Sequence, residues 1–208
     1  MESHSFGELF DMNGLVTMAT PFLLEERSSD ISGEFGFKTR DGLCASVGGF
    51  AVTSSDAPVF SRAGDYFDIV KNAELDLTGF TVKTGYIRKE SWGVNGEMNF
   101  NDADCNNTGR APFIPNTDAR IDGFYIPREL WNIRAAMRYV GKHYVDQATT
   151  DSESSFMMID VGVDRTLLKD YISMYVDLRN ITNSDGVWWT GRYTVPGIGL
   201  YIGLKAQY

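Results

Sequence analysis

The sequence predicts an all-β protein that forms a transmembrane antiparallel β-barrel, or part of one, with about eight to ten strands in meander order. Three observations lead to this prediction. Segments of roughly ten residues alternate between apolar and polar side chains, the connections between them are alternately short and long, and the chain ends on an uninterrupted alternating strand. Outer-membrane barrels combine these features, because their strands face lipid on one side and their turns are short at one end only. Nothing divides residues 1–208, so we treat them as a single domain.

Eight segments alternate clearly enough to predict strands. The first two form a hairpin around an Asp-Gly turn within residues 40–42. The third can be extended toward its amino end only with a phase slip at Thr78 and Gly79, where the glycine predicts a β-bulge. In chain order, the segments are residues 31–38, 43–53, 80–86, 92–100, 131–139, 157–163, 171–179 and 198–208.

Aromatic residues stand at the ends of the apolar faces in two of these strands. In residues 131–139 the apolar face begins with Trp131 and ends with Tyr139, while the opposite face carries two arginines. Residues 92–100 repeat this design, starting from Trp92. Aromatic ends around an apolar middle match the girdles that flank a lipid-facing band. Trp92, Trp131 and Tyr139 are therefore candidate membrane-interface residues.

The connections differ in length in a regular way. Tight turns are predicted at residues 41–42, at residues 89–90 and near Lys169, and the last of these joins two strands as a hairpin. Long, polar or proline-rich loops are predicted at residues 54–66, 101–127, 141–155 and 182–195. A soluble meander does not need this asymmetry, whereas an outer-membrane barrel has it.

The last strand is the clearest of the eight. Side chains repeat with period two along a strand, so one face of residues 198–208 is almost entirely apolar. The other face carries glycine, tyrosine, lysine and glutamine. The apolar face consists of Ile198, Leu200, Ile202, Leu204, Ala206 and Tyr208.

Composition excludes several classes of protein. The 208 residues carry a formal net charge of −9, whereas nucleic-acid binding needs a clustered positive surface, so we expect no nucleic-acid partner. The 13% of aromatic residues and the 21 glycines suit strands and turns better than helices. No run of about eighteen apolar residues occurs, which excludes a transmembrane helix and leaves strands as the route into a membrane.

Few residues of the kinds that form catalytic or metal sites are present. The only cysteines are Cys44 and Cys105, and the only histidines are His4 and His143, which lie far apart in the sequence. Two cysteines are too few for a disulfide framework or a thiolate metal site, and we expect both thiols to be unpaired. We therefore expect no cofactor, no metal site and no enzymatic activity.

Two motifs near the amino terminus resemble elements of a known family. Residues 5–10, SFGELF, are similar to a segment that ends in Glu-Leu-Tyr or Glu-Leu-Phe. Residues 20–26, TPFLLEE, resemble an Asn-Pro-x-Leu-x-Pro-Glu element at the expected interval. Of this second motif, Pro21, Leu23 and Glu26 match the element, and Thr20 and Glu25 depart from it.

Further motifs follow in the same order as in that family. Asn72, Ala73, Gly79 and Phe80 resemble a strand in which Asn precedes a Gly-hydrophobic-Glu step, although Thr81 replaces the Glu. The later motifs are residues 138–146 (RYVGKHYVD), Asp160, residues 178–183 (LRNITN) and residues 195–208, in which Ile198 replaces a frequent Arg. Together they resemble the C-terminal part of the barrel of TonB-dependent outer-membrane receptors.

The resemblance implies a location, a function and a set of partners. Receptors of this family sit in the cell outer membrane and take up siderophores, vitamins or oligosaccharides through a barrel of roughly twenty-two strands with a plugged lumen. Here the plug domain and early strands would be missing, so the chain alone would not transport. The implied partners are outer-membrane lipid and the barrel-assembly machinery, with the TonB energy-coupling system only for the full-length receptor. The barrel-assembly signal would consist of Ile202, Leu204, Ala206 and Tyr208.

Two features bear on whether the chain is a fragment. The first ten residues have neither a basic region nor an apolar one, so there is no signal peptide, and we expect a mature or truncated part of something longer. Residues 101–130 read as one loop where the family usually has a further strand pair or a different spacing.

Two other classes of protein fit parts of the sequence. A complete outer-membrane barrel of about eight strands, with a structural or adhesion role, suits the length and the number of strands. A soluble β-sandwich that binds carbohydrate would use Trp188 and Trp189 to stack on sugars. Neither alternative accounts for the ordered motifs.

Overall fold

The computed structural model of the chain describes residues 17–19, 24–62, 68–88, 91–106, 111–144, 152–168, 171–189 and 193–206. All regular elements in these ranges are β-strands. In chain order they are β1 (Thr17–Ala19), β2 (Arg27–Lys38), β3 (Leu43–Arg62), β4 (Asp68–Arg88), β5 (Trp92–Cys105), β6 (Thr117–Arg128), β7 (Trp131–Val140), β8 (His143–Tyr144), β9 (Ser152–Glu153), β10 (Phe156–Leu168), β11 (Ile172–Arg179), β12 (Val187–Trp189), β13 (Tyr193–Thr194) and β14 (Gly199–Ala206). Among the described residues, no helix is long and apolar enough to cross a membrane.

The strands form one large sheet with two short ribbons beside it. Nine strands lie side by side in the order β2, β3, β4, β5, β6, β7, β10, β11 and β14, each antiparallel to the next. β1 adds a tenth strand, parallel to the first residues of β4. β8 pairs with β9 and β12 with β13 inside two of the connections. The prediction of an all-β antiparallel meander of eight to ten strands is confirmed.

Short connections alternate with longer ones along most of the sheet, but β3 and β4 are joined by residues 63–67 alone, where the sequence predicts a long loop over residues 54–66. The short turns, which we call the turn end of the sheet, are residues 39–42, 89–91, 129–130 and 169–171. The opposite end, which we call the loop end, is where the connections from β3 to β4, from β5 to β6, from β7 to β10 and from β11 to β14 begin and end. Because neighbouring strands are antiparallel, every short turn lies at the same end of the sheet.

Alternation divides the sheet into two faces of different chemistry. On β14 the outer face carries Leu200, Ile202 and Leu204, while the inner face carries Tyr201 and Lys205. The register continues this division across all nine strands. The outer face includes Val176, Val163, Ile133, Ile121, Met98, Val82, Val47 and Phe35, in order from β11 to β2.

Several glycines on the inner face lie beneath aromatic rings of the next strand. A Cβ atom on Gly79 would lie 2.7 Å from Cζ of Phe50, and one on Gly203 would lie 2.5 Å from Cζ of Tyr175. The missing side chains let these rings lie flat against the sheet instead of projecting away from it. Three such pairs are Gly79 with Phe50, Gly93 with Phe124 and Gly203 with Tyr175.

Two small hydrophobic clusters lie at the loop end, against the inner face. The first contains Ala57, Ala73, Cys105 and Ala111, and the second contains Val140, Phe156 and Val195. Ala111 belongs to the connection between β5 and β6, and Val195 to the connection between β11 and β14. Ala111 and Val195 therefore bring the described parts of these two connections against the inner face.

The prediction of one long loop between residues 101 and 127 is wrong. β5 continues to Cys105, and β6 covers Thr117–Arg128. β6 pairs with β5 along one edge and with β7 along the other. Because β6 was not predicted from the sequence, the number of strands around residues 101–130 was uncertain at that point.

Two further boundaries differ from the sequence predictions. β4 passes through Thr78 and Gly79 with unbroken register to β3, so the predicted bulge is absent there. The irregularity lies on the partner strand between Ser54 and Ala57, where Asp56 adopts a φ of 59°. β3 also continues through residues predicted as loop and ends at Arg62. Ala73 and Leu75 lie on the inner face of β4 and pack in the first hydrophobic cluster, so the apolar residues change face along β4 without a bulge in that strand.

Candidate functional site

Three residues of the predicted assembly signal, Ile202, Leu204 and Ala206, lie on the outer face of β14. Ile202 and Leu204 are 65% and 71% exposed, respectively, and Ala206 is also exposed. Tyr208 lies outside the described residues. β14 has β11 on one side and no described strand on the other, which explains the high exposure of its apolar side chains.

The three candidate interface aromatics all lie on the outer face, at different ends of their strands. Trp92 and Trp131 are the first residues of β5 and β7, next to short turns, whereas Tyr139 is close to the loop end of β7. The Trp92 ring lies 5.1 Å from the ring of Tyr86, and the guanidinium carbon of Arg165 lies 4.9 Å from the ring of Trp131. This arrangement gives aromatic side chains to both borders of the outer face.

Between these borders the outer face is an apolar band. On β5 the band runs from Trp92 to Phe100, and Phe100 stacks on Phe80 with ring centroids 4.5 Å apart. The eight steps from the first to the last of these residues, at about 3.3 Å each, cover roughly 26 Å along the strand, the same order as the apolar band of about 25 Å on membrane barrels, whose strands are tilted. No outer-face residue of the described strands between these borders is charged.

The inner face carries the charges, and an arginine cluster joins three strands there. Arg134 on β7 donates from Nε to Oδ2 of Asp164 at 2.7 Å and from its NH2 group to Oδ1 of Asp177 at 2.9 Å. A second bond of 3.2 Å to Oδ1 of Asp164 makes that pair bidentate. Gly162 stands between Arg134 and Asp177 on β10, and its missing side chain leaves the space in which they meet.

Polar contacts continue on the neighbouring strands. Arg120 donates to both oxygens of Asp122 at 2.6 and 3.0 Å along β6. Thr81 donates to Oδ1 of Asn99 at 2.7 Å, and Nδ2 of Asn99 donates to Oδ1 of Asp118 at 3.1 Å, so β4, β5 and β6 are linked across the inner face. The inner face is therefore polar, and many of its charges are paired within the sheet.

On β2 the inner face carries Glu34, which connects the edge strand to its neighbours. Glu34 accepts a 2.6 Å hydrogen bond from the hydroxyl of Ser46 and lies 3.5 Å from Nζ of Lys83. Both charged side chains are about half exposed, and exposed ion pairs contribute little to stability. This pair therefore adds to the polar character of the inner face and contributes little to the stability of the sheet.

Two cavities lie against the inner face. The larger has a volume of about 660 Å³ and includes Lys83 and Glu97 in its lining, and the smaller has about 390 Å³ and includes Arg134 and Asp177. Asn95, Arg120 and Asp122 line both cavities. The inner face is therefore a concave polar surface that offers hydrogen-bond donors and acceptors of both charges.

The described residues contain little material for catalysis. No group of three His, Cys, Asp or Glu residues that could hold a metal ion occurs among them. No disulfide joins Cys44 to Cys105, and the thiol of Cys44 lies 3.4 Å from the carbonyl oxygen of Gly85. The inner face can contact a polar surface or bind a polar solute, but the described residues show no nucleophile next to a base.

Sequence reasoning missed part of this surface. Arg120 and Asp122 lie on β6, which was predicted as loop, and so neither was considered. The signal was present, because Ala119, Ile121 and Gly123 alternate with charged residues. The paired arginines of residues 131–139 were recognised as a polar face, but their acidic partners were not.

The sequence alone finds no relatives. No protein-family model matches the chain, and a comparison with curated proteins finds no match.

The fold does have counterparts among solved structures. The copper transporter OprC superposes with a TM-score of 0.71 at 15% identity, over 90% of this chain and 32% of OprC. The ferripyoverdine receptor of the outer membrane of Pseudomonas aeruginosa gives 0.64 at 11% identity, over 86% of this chain and 27% of the receptor. The ferric yersiniabactin uptake receptor FyuA from Yersinia pestis gives 0.62 at 16% identity, over 85% and 29%. The chain therefore spans about a third or less of the structures it resembles.

Proposed function

The chain has the fold of the barrel of TonB-dependent outer-membrane receptors, and from that premise we propose that it is the C-terminal barrel segment of an outer-membrane nutrient uptake receptor. The observation that carries the proposal is the division of the sheet into an uncharged apolar band, bordered by aromatics, and a concave polar inner face. A sheet with this division suits the outer membrane, with lipid against the band and a polar body or solute against the inner face. The structures that it resembles include a copper transporter, a ferripyoverdine receptor of the outer membrane and a ferric yersiniabactin uptake receptor.

The open edges of the sheet support the view that the chain does not transport alone. Among the described residues, β2 and β14 are the two ends of the nine-strand path and are not hydrogen-bonded to each other. All twelve residues of β2 are exposed. Unpaired edges of this length aggregate in isolation, so we assign transport to a longer receptor that supplies the neighbouring strands and a plug.

The partners follow from the same division of faces. Outer-membrane lipid would contact the apolar band, and a plug domain would cover the inner face. The barrel-assembly machinery would recognise the apolar side of β14, formed by Ile202, Leu204 and Ala206 together with Tyr208. The TonB energy-coupling system would act only on the full-length receptor, through its plug. No nucleic-acid partner is proposed.

The two other classes considered from sequence receive less support. A β-sandwich has two packed layers, whereas the described strands form one sheet with two short ribbons. A complete barrel of about eight strands would pair its first and last strands, whereas β2 and β14 stay apart.

The genomic DNA immediately upstream of Met1 tests the fragment hypothesis. We expect an open reading frame in phase with this chain that encodes a plug domain and earlier strands. A signal peptide placed directly before residue 1 would contradict it and favour a small complete barrel.

Uptake by the longer receptor tests the function. We expect a Gram-negative strain that carries the complete gene to accumulate one of three labelled probes, a ferric hydroxamate, cobalamin or a maltodextrin, and to stop when TonB is deleted. The matched control is the same gene without its plug-coding region, which should lose TonB dependence. Accumulation of none of the three probes, or accumulation that does not change without TonB, would count against the proposal.

A further inference from the structure

Three arginines lie in a row at the turn end of the outer face, beside the tryptophans of that border. Arg88 is the last residue of β4 and is the register partner of Trp92 on β5. Arg128 on β6 and Arg165 on β10 are the register partners of Trp131, one on each side of β7. We call Arg88, Arg128 and Arg165 the arginine row. It crosses five neighbouring strands, from β4 to β10, which at about 4.8 Å per strand is roughly 19 Å of the border.

The arginine row has the chemistry that recognises phosphate at a membrane border. Its three side chains are exposed, and the guanidinium of Arg165 stacks on the ring of Trp131. A guanidinium has five N–H donors in one plane, so stacking on a ring leaves its edge for a phosphate, which it binds through two parallel hydrogen bonds. Tryptophan rings sit at the level of the headgroups, which puts the neighbouring arginines at the depth of the lipid phosphates.

The turn end is positive although the whole chain is negative. The four short turns contain three basic and four acidic residues, so together with the arginine row they carry a net charge of +2, whereas the whole chain carries −9. Two positive charges therefore remain even when every acidic residue of these turns is paired. Charges act over a Debye length of about 10 Å at 0.1 M salt, so anionic lipid at this border is attracted by the local excess and is screened from the acidic loop end.

The opposite border of the outer face has the other sign on β4 and β5. Asp76 on β4 is the register partner of Asp104 on β5, and Asp102 lies opposite Thr78 on the same face. At that end Arg27 lies on the edge strand β2, two strands away from Asp76. Carboxylates repel an anionic partner, so the turn-end border is the one that complements it in charge.

We propose that the arginine row binds the phosphate groups of anionic phospholipids. Each guanidinium donates to the non-ester oxygens of a phosphate, Trp92 and Trp131 pack against the glycerol and the first acyl carbons, and the acyl chains lie on the apolar band. The partner is a phospholipid, because the row is continuous with the band and a free phosphate has nothing to cover that band. The inference rests on the proposed function, since it needs lipid against the band, and it adds which border selects the headgroup.

Quenching of tryptophan fluorescence by brominated lipids tests the row, with the full chain folded into phosphatidylcholine vesicles. Trp188 and Trp189 are replaced by phenylalanine in every sample, so that the signal comes from the other two tryptophans, Trp92 and Trp131. Brominated phosphatidylglycerol and brominated phosphatidylcholine then give the ratio of the binding constants of the two lipids beside these rings. We expect phosphatidylglycerol to bind about fivefold more tightly, the ratio that corresponds to about 1 kcal/mol for a single arginine near a membrane surface.

Variants separate the arginine row from general attraction. Replacing the row together, by Arg88→Gln, Arg128→Gln and Arg165→Gln, should bring the ratio close to one, and each single replacement should lower it. The corresponding lysine variants keep the charge and should retain most of the preference. Arg179→Gln is the matched control, because the guanidinium of Arg179 also stacks on a ring, 4.7 Å from that of Tyr201, but on the inner face. It should leave the ratio unchanged.

The two brominated lipids distinguish a failure of this inference from a failure of the proposed function. If brominated phosphatidylcholine does not quench Trp92 and Trp131 in the unmodified arginine row, the outer face does not meet lipid and both are wrong. Quenching by both lipids with a ratio of one, or a ratio that the glutamine variants do not lower, overturns the headgroup site alone. A loss of equal size in Arg179→Gln overturns it as well, because the preference would then not depend on the border.

Discussion

Asn180 connects the end of β11 to the connection that leads to β14. It is 3% exposed and adopts a φ of 49°, in the left-handed region. Its Nδ2 group donates to the carbonyl oxygens of Ser184 at 2.8 Å and Pro196 at 2.7 Å, and its Oδ1 accepts from the amide of Ser184 at 3.0 Å. Its own amide donates to Oδ1 of Asp160. One asparagine thus satisfies polar groups in three segments.

Substitution of Asn180 should therefore destabilise the loop end. We expect Asn180→Ala to lower the free energy of unfolding by about 2 to 3 kcal/mol, because buried polar partners lose their hydrogen bonds and alanine is strained at this φ. Asn180→Gly removes the same hydrogen bonds without the strain and should lose about 1 kcal/mol less. Urea titration of tryptophan fluorescence in detergent measures both, and equal stability of Asn180→Gly and the unmodified chain would refute the role of the hydrogen bonds.

Gly79 offers a second test at the level of a single residue. A Cβ atom there would lie 2.5 Å from the carbonyl oxygen of Phe100 and 2.7 Å from Cζ of Phe50, so Gly79→Ala should cost about 1 to 3 kcal/mol of stability. Gly33 is the matched control, because nothing lies within 4 Å of a Cβ atom built on it. The same urea titration compares the two, and an equal loss for both variants would contradict this explanation.

Each strand of the large sheet divides its residues between an apolar outer face and a polar inner face. Val82 and Thr81 are neighbours on β4, yet Val82 lies in the apolar band and Thr81 in the polar network with Asn99. The sequence predicted this division wherever alternation was unbroken. It failed for β6, where alternation is present over residues 119–123 but is short, because Gly123 gives the outer face no side chain and Phe124 puts an aromatic ring on the inner face.

A lysine on each face of β4 tests the assignment to lipid. We expect Val82→Lys to lower stability in lipid bilayers by about 2 to 4 kcal/mol, because a charge near the middle of the apolar band loses its hydration. Thr81→Lys is the control on the inner face and should cost no more than about 1 kcal/mol, the worth of its hydrogen bond to Asn99. Unfolding by urea in lipid vesicles measures both variants. Similar losses for the two would mean that the outer face does not meet lipid.

The strand order of the whole sheet constrains how it can close into a barrel. Eight antiparallel steps separate β2 from β14, so the two edge strands run in the same direction. If they paired with each other, the seam would be parallel. A closed barrel in which every pair is antiparallel needs an even number of strands, and this path has nine. Closure therefore needs an odd number of additional strands.

Hydrogen exchange of the chain alone in detergent tests this constraint. We expect the amides of β2 and β14 to exchange much faster than those of β6 and β7, because an edge strand leaves alternate amides without a partner. In the complete receptor both strands should become protected. Protection of β2 and β14 equal to that of β6 and β7 in the isolated chain would show that the edges pair with each other or between copies.

The sequence by itself determined the class of fold, the two faces of most strands and the positions of three of the short connections between strands. These properties are local, because period two is imposed by the backbone of each strand and turn residues act within a few positions. Only the tertiary structure decided which strands are neighbours and which side chains meet. Arg134 contacts Asp164 and Asp177, which lie 30 and 43 residues further along the chain. The packing of Ala111 and Val195 against the inner face was also decided only by the tertiary structure. Strand register and long-range packing depend on pairs of residues that no local sequence pattern encodes.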